Sequence, residues 1–224
     1  MKRHHVGTLL IILGFGFLCA GVLFLRHNLQ VQTQAGYVAQ EVITALDIPT
    51  AEHVNPPEAV MPEAFVSQED LPVTVLPESP QPDYILNPQM PMPEKEVEGI
   101  SYVGVISIPA LELELPVISS TTPANLQIAP CRYTGSAYLD DLVIGAHNYS
   151  THFGRIKDLS YGDCITFTDM DGNIFAYTIV DVETLKPHQV EELCDGKWPL
   201  SLYTCTLGGR TRVTIRCEKA VVYE

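Results

Sequence analysis

Between Cys164 and Val182 the chain reads CITFTDMDGNIFAYTIVDV. Two runs that alternate apolar and polar residues, Cys164–Asp169 and Ile174–Val182, flank Asp171-Gly172-Asn173. Period-two alternation describes a strand with one buried face, and a glycine between two such runs supplies the positive φ of a tight hairpin. The same texture extends both ways. Ser101–Ile108, Leu113–Ile118, Leu142–Ala146, Leu200–Cys205 and Arg212–Lys219 are further short apolar runs bounded by turn residues. Seven or eight strands within about 125 residues predict a single all-β unit, a barrel or a sandwich. The sequence contains no internal repeat.

Upstream of this unit the composition changes. Eleven of the 17 prolines fall between Pro49 and Pro93. Each removes a backbone donor and restricts its predecessor to extended conformations, so neither a helix nor a central strand can run through them. Gly36–Leu46 has modest helical character, and residues 26–98 as a whole read as an acidic, Pro-rich extracellular linker. Val6–Leu25 is a run of 20 residues without a charge. As a helix it would cover roughly 30 Å, the thickness of a bilayer core. Lys2 and Arg3 precede it and Arg26 follows, which predicts residues 1–5 as a cytoplasmic N-terminus, 6–25 as a single transmembrane anchor and an extracellular domain over 99–224. A cleaved signal peptide is the competing reading, but the apolar run exceeds the usual h-region and no small-x-small site follows it directly.

The formal charge of −14 is concentrated in the linker: 12 acids face the single Lys95 between Gln30 and Glu98, which is −11. The rest has no basic stripe, so nucleic acid is not an expected partner. Of the six cysteines, Cys19 lies in the apolar run and five lie beyond it. If one is a working thiol, then Cys131, Cys164, Cys194 and Cys217 could form two disulfides or remain free thiols, which sequence leaves open. No C-x-x-C pair or third histidine-spaced ligand is present, so no metal or cofactor is expected.

Cys205 ends an apolar run, Ser201-Leu202-Tyr203-Thr204-Cys205, and the Thr206-Leu207-Gly208-Gly209 loop follows. A thiol at a strand end is open to substrate, and at neutral pH it needs a base or a cation to act as a nucleophile. His147 ends the run Leu142–Ala146, and Arg212 opens the last run seven residues after Cys205. If the strands around the loop pair as a hairpin, Arg212 starts where Cys205 stops and its guanidinium can meet an acyl oxyanion. His152 competes for the role of base from a turn, where a histidine is more often solvated or hydrogen-bonded. Arg210 and Arg216 compete with Arg212: the first sits in the loop, the second shares Arg212's face but lies roughly 13 Å farther along.

These strings carry a resemblance. Ser201–Cys205 resembles the sortase signature TLxTC, with Ser in place of the first Thr. Val143-Ile144-Gly145-Ala146-His147, followed by Thr151-His152-Phe153, resembles the family's strand ending in the catalytic histidine. Arg212-Val213-Thr214-Ile215-Arg216 resembles its last strand, which opens on the catalytic arginine. Val103–Pro109 and Leu115-Pro116-Val117 resemble its first two strands.

The resemblance implies an eight-stranded sortase-like β-barrel with short helices, acting as a cysteine transpeptidase of Gram-positive bacteria. In that reading Cys205 attacks an LPxTG-like sorting signal and forms a thioacyl-enzyme, His147 is the acid/base, Arg212 steadies the oxyanion and Thr204 touches substrate. The implied partners are surface proteins bearing a C-terminal sorting signal, with a peptidoglycan-precursor or pilin amine as acceptor. Class B/D-like features leave the class undecided. No apolar segment follows the last strand, which points to anchoring rather than pilus polymerisation. Ala146 stands where the commonest pattern has Gly, Asn148 follows the histidine where many members have Arg, and the loop from Cys205 to Arg212 is short. The exact sorting motif therefore stays open. Another cysteine acyl-transfer enzyme of the wall predicts Gly-Cys where this chain has Thr-Cys; a non-catalytic tethered β-domain predicts that Cys205 is dispensable. Leu71-Pro72-Val73-Thr74-Val75 in the linker imitates a sorting signal without its glycine and suggests a resident pseudo-substrate.

Overall fold

The computed structural model describes residues 2–48 and 81–220, with side chains from residue 12 onward. The Leu71–Val75 segment and most of the Pro-rich stretch lie outside the described residues. Nine strands are present among them: β1 (Lys95–Val97), β2 (Ile100–Ile108), β3 (Leu113–Ile118), β4 (Cys131–Thr134), β5 (Leu142–Ala146), β6 (Cys164–Asp169), β7 (Ile174–Leu185), β8 (Leu200–Cys205) and β9 (Arg212–Lys219). The helices are α1 (Lys2–Leu46), α2 (Asp83–Leu86), α3 (Pro123–Ile128) and α4 (Val190–Leu193).

The strand order is β1-β2-β3-β4-β5-β8-β9-β7-β6, and β6 pairs back onto β2. Strands β2 to β9 therefore close into an eight-stranded barrel, with β1 added outside the ring. Closure leaves the ring itself without a free edge, while β1 pairs on one side only. The β2–β6 seam closes because Gly104 carries no side chain: a Cβ there would lie 2.3 Å from the Thr168 carbonyl and 2.5 Å from the Phe167 ring. Inward-facing residues fill the interior, with Ile106, Ile144, Phe167, Tyr177, Leu202 and Ile215 all fully buried. The expected hairpin joins β6 to β7, with Gly172 at φ +83°. The Asp169 carboxylate accepts hydrogen bonds from the Asp171 and Asn173 amides, the Asn173 side chain and the Tyr138 hydroxyl.

Two boundaries differ from the sequence reading. The linker was expected from residue 26, but α1 continues to Leu46 without a break. It does so because Ala35, Ala39, Val42 and Leu46 form a stripe on one helical face that is buried against the barrel. The Lys95 ammonium donates to the Leu46 carbonyl at 2.6 Å, placing a cation at the negative end of the helix. The β-unit was expected from residue 99, but β1 pairs from Lys95, Met92 is buried, and Tyr84 of α2 stacks on Tyr138 at 4.6 Å between ring centroids. These contacts tie the end of the Pro-rich stretch to the barrel wall.

Candidate active site

Two ladders fix the site. Strands β5 and β8 run parallel, with their last pair at Ala146↔Thr204, so His147 and Cys205 are the next residue on each of two neighbouring strands. Strands β8 and β9 are antiparallel, and their terminal pair is Cys205↔Arg212. Directly paired residues project to the same face, with Cα atoms about 4.5–5.5 Å apart. His147, Cys205 and Arg212 thus occupy one end of three adjacent strands, on the outer face of the barrel wall. Cys205 is exposed, while His147 and Arg212 are half-buried.

The loop that turns β8 into β9 is held tightly. The Thr206 amide donates to the Thr211 carbonyl at 2.9 Å, and the Thr211 amide donates back to the Thr206 hydroxyl at 3.2 Å. Gly208 and Gly209 both have positive φ. Thr204, expected to meet substrate, is turned inward instead: it is 4% exposed and its hydroxyl donates to the Ala146 carbonyl at 2.9 Å. Its side chain fastens together the strand ends that carry Cys205 and His147.

Arg212 is aimed by two contacts. Its Nη1 donates to the Pro187 carbonyl at 2.7 Å, and its guanidinium carbon lies 5.8 Å from the centroid of the Tyr203 ring. Its Nε is buried without a hydrogen-bond partner among the described residues. Tyr203 in turn lies over Gly145, where a Cβ would come within 2.4 Å of the ring. The glycine of the histidine strand is therefore what lets the aromatic lie flat beneath the arginine.

Among the rivals, Arg210 lies exposed in the loop. Arg216 is 2% exposed and fully engaged: Nε on Glu183 at 2.7 Å, Nη1 on the Ser201 hydroxyl at 2.8 Å and the Leu193 carbonyl at 3.0 Å, Nη2 on the Glu192 carbonyl at 2.5 Å. It pins the segment containing α4 to the barrel, the same segment that supplies Pro187 to Arg212. Its partners lie 15 to 33 residues away in sequence, so pattern reading missed this role.

His152 departs from the sequence expectation of a solvated turn residue. It is fully buried and neither ring nitrogen has a hydrogen-bond partner. Burial, reinforced by nearby His147, pushes it down to about 4; the Ile128 backbone lies close enough to oppose this weakly, but outside hydrogen-bonding geometry. The signal that could have located it is Phe153, which is fully buried beside it. Burial also lowers His147 from its ordinary value, so the ring is neutral and able to accept a proton at physiological pH. Tyr149 lies between the two histidines, with ring centroids 5.0 Å from His147 and 5.3 Å from His152.

All six cysteines are free thiols. Burial raises Cys131 and Cys217 to about 12 each and shifts Cys164 and Cys194 upward as well. Beyond the apolar helix, Cys205 is the exposed thiol.

Comparison with known proteins identifies the family of the domain. A family model described as a sortase domain matches residues 106–220, just over half of the chain. Sortase A of Bacillus anthracis is 32% identical over 109 residues, covering 46% of this chain and 51% of that protein. Sortase A of Listeria monocytogenes is 29% identical over 114 residues, covering 46% of this chain and 49% of that protein. The match thus spans about half the length of either relative. Among solved structures, sortase A from Corynebacterium diphtheriae superposes with a TM-score of 0.49 at 21% identity, over 55% of this chain and 63% of that one. With the domain matched across the barrel strands that carry Cys205, His147 and Arg212, this chain belongs to the sortase family.

Proposed function

We propose that the chain is a membrane-anchored cysteine transpeptidase that cleaves an LPxTG-like sorting signal and transfers the released carboxyl group to an amine of the cell wall. The observation that carries this reading is the shared strand end: the Cys205↔Arg212 pair lies beside the last Ala146↔Thr204 pair, with His147 next in line. Neutral His147 takes the Cys205 thiol proton, the thiolate attacks the scissile carbonyl carbon, and the oxyanion that forms meets the Arg212 guanidinium. The C–N bond breaks as protonated His147 gives its proton to the leaving amine, leaving a thioester on Cys205. An incoming amine then attacks the thioester, His147 takes its proton, and the C–S bond breaks to regenerate the thiolate. Thr204 serves as a fastener of the two strands rather than as a substrate contact.

The first 46 residues support anchoring. Within α1, the stretch from Ile12 has a mean hydropathy of 1.6 over its most apolar window and is long enough to cross a bilayer. With Lys2 and Arg3 inside, the barrel faces outward, where sorting-signal proteins and wall precursors are presented.

The test is mass spectrometry of the protein incubated with a library of sorting-signal peptides and an amine. A covalent acyl adduct on Cys205, converted to a peptide–amine product and lost in Cys205→Ala, is the expected result. Product formation by Cys205→Ala would overturn the reading.

A further inference from the structure

His147 leaves β5 into a loop, Asn148 to Thr151, whose Tyr149 ring packs against its imidazole with centroids 5.0 Å apart. The inner side of this loop is held by the barrel. The Phe153 amide donates to the His147 carbonyl at 3.2 Å, the His152 and Gly154 amides donate to the Tyr149 carbonyl at 3.0 and 2.9 Å, and the Tyr149 ring lies between those of His147 and His152. The outer side is held by α1. Gln32 Oε1 accepts from the Ser150 amide at 3.2 Å and from the Ser150 hydroxyl at 3.0 Å, and the Gln32 backbone carbonyl accepts from the Thr151 hydroxyl at 3.0 Å. Those two hydroxyls have no other partner among the described residues. Gly36, one turn farther along, makes the approach possible, because a Cβ there would lie 3.1 Å from the Thr151 methyl. The helix cannot easily slide away from this contact, since Ala35, Ala39, Val42 and Leu46 are buried on the same barrel wall.

We propose that Gln32 is a positioning residue for this site: through Ser150 and Thr151 it fixes the loop that turns His147 toward Cys205, so the docked end of the apolar helix belongs to the catalytic unit. The inference rests on the assignment of His147 as the acid/base. The side-chain part of this contact lies in one atom, while Thr151 is held by the Gln32 backbone carbonyl. Gln32 acts through Oε1 as an acceptor, and its amide nitrogen makes no bond among the described residues. A carboxylate keeps that acceptor and a thioether of similar length removes it. Misplacing a reacting group by about 1 Å can cost on the order of 100-fold in rate, so loosening this loop is expected to act on turnover more than on binding.

The experiment uses the full chain in phosphatidylcholine/phosphatidylglycerol nanodiscs, with Gln32→Met, Gln32→Glu and Thr151→Val beside the wild type and His147→Ala. The first readout is the pH dependence of Cys205 alkylation by iodoacetamide, followed by mass spectrometry of the Cys205 peptide; it needs no knowledge of the sorting signal. The second is kcat and KM for whichever peptide forms the Cys205 adduct. Gln32→Met is expected to slow Cys205 alkylation at neutral pH at least about 5-fold and to lower kcat at least about 10-fold with KM within about 2-fold. Thr151→Val should move both in the same direction by less, and Gln32→Glu should restore both to within about 2-fold of wild type. A Gln32→Met chain with the wild-type alkylation profile and kcat overturns the proposal. So does Gln32→Glu failing as badly as Gln32→Met, because the acceptor would then be irrelevant. If His147→Ala leaves the alkylation profile unchanged, the role of His147 fails and the inference with it, an outcome separable from failure of Gln32 alone.

Discussion

Arg212 and Arg216 lie on one face of one strand, and exchanging each for methionine should have opposite consequences. Arg216→Met removes a buried cation that donates to Glu183, Ser201, Leu193 and Glu192, all at 3.0 Å or less. The buried Leu193 carbonyl and the part-buried Glu192 carbonyl then lose a donor, and Glu183 loses its counter-charge. Breaking a fully buried ion pair from one side costs about 3–5 kcal/mol, and because the remaining Glu183 carboxylate is 34% exposed the cost here falls to about 2–3 kcal/mol. The four bonds are not counted separately, because they share one side chain. In a domain of this size that corresponds to a fall in Tm of roughly 4–12 °C. Arg212→Met removes one bond to the Pro187 carbonyl at the rim, with a cost under about 1 kcal/mol. It should nevertheless lower kcat by about 100-fold or more, the scale seen when an oxyanion donor is lost. The assays are calorimetric melting and single-turnover acylation of Cys205, run on both variants well below the lower Tm. If Arg216→Met melts within 2–3 °C of wild type while turnover disappears, the roles of the two arginines are exchanged and the site geometry argued above is refuted.

Three further outcomes are expected. His152 is buried and depressed to about 4, against about 6.5 when unfolded, so its neutral form contributes stability that is complete above pH 6.5 and lost as pH falls toward 4. That loss is about 3 kcal/mol, and urea titrations at pH 7 and pH 4.5 should show it shrinking in His152→Phe; an unchanged pH dependence would place its ring outside the core. Brief alkylation of the native protein at pH 7 should modify Cys205 well before Cys131 and Cys217, whose thiols are pushed to about 12, and peptide mapping showing the reverse order would contradict their burial. Gly145→Ala should displace the Tyr203 ring, costing about 1–3 kcal/mol by overpacking and lowering acylation through the misplaced Arg212; a variant with wild-type acylation would separate Tyr203 from the arginine.

The strands legible in the sequence are those with one face in the core and the other near solvent or under a thin cover. Leu113–Ile118, Leu142–Ala146, Cys164–Asp169, Leu200–Cys205 and Arg212–Lys219 have the bounds expected of them, because alternation and turn residues are local signals. Strand β4 was not named, since Cys131–Thr134 offers four residues between Pro130 and Gly135, too few to display a period. Its place is set from outside, by the Ile118 amide on the Pro130 carbonyl and by pairing with β5. The convergence of Cys205, His147 and Arg212 was readable for a related reason. Each ends or opens a run, and a hairpin short enough to pair Cys205 with Arg212 is itself a local feature.

What surrounds those three residues was not readable, because it depends on contacts between distant parts of the chain. The helical stripe Ala35, Ala39, Val42 and Leu46 has spacings of 4, 3 and 4, a pattern visible in principle. Two alanines make it weakly apolar, however, and nothing near them in sequence names Tyr102, Ile118 or Thr151 as the surface that receives it. The same holds for His152, whose burial follows from a fold that closes Phe153 and Ile156 into the core, and for Arg216, whose guanidinium is met by residues on β7 and in α4. Sequence pattern thus brings the candidate reacting groups together by strand register, while their orientation depends on side chains recruited from across the barrel. Variants that act on orientation should therefore be found at positions such as Gln32, Gly145 and Arg216, whose contacts are tertiary, and beside Cys205 in the chain at Thr204, whose hydroxyl reaches the Ala146 carbonyl on the neighbouring strand.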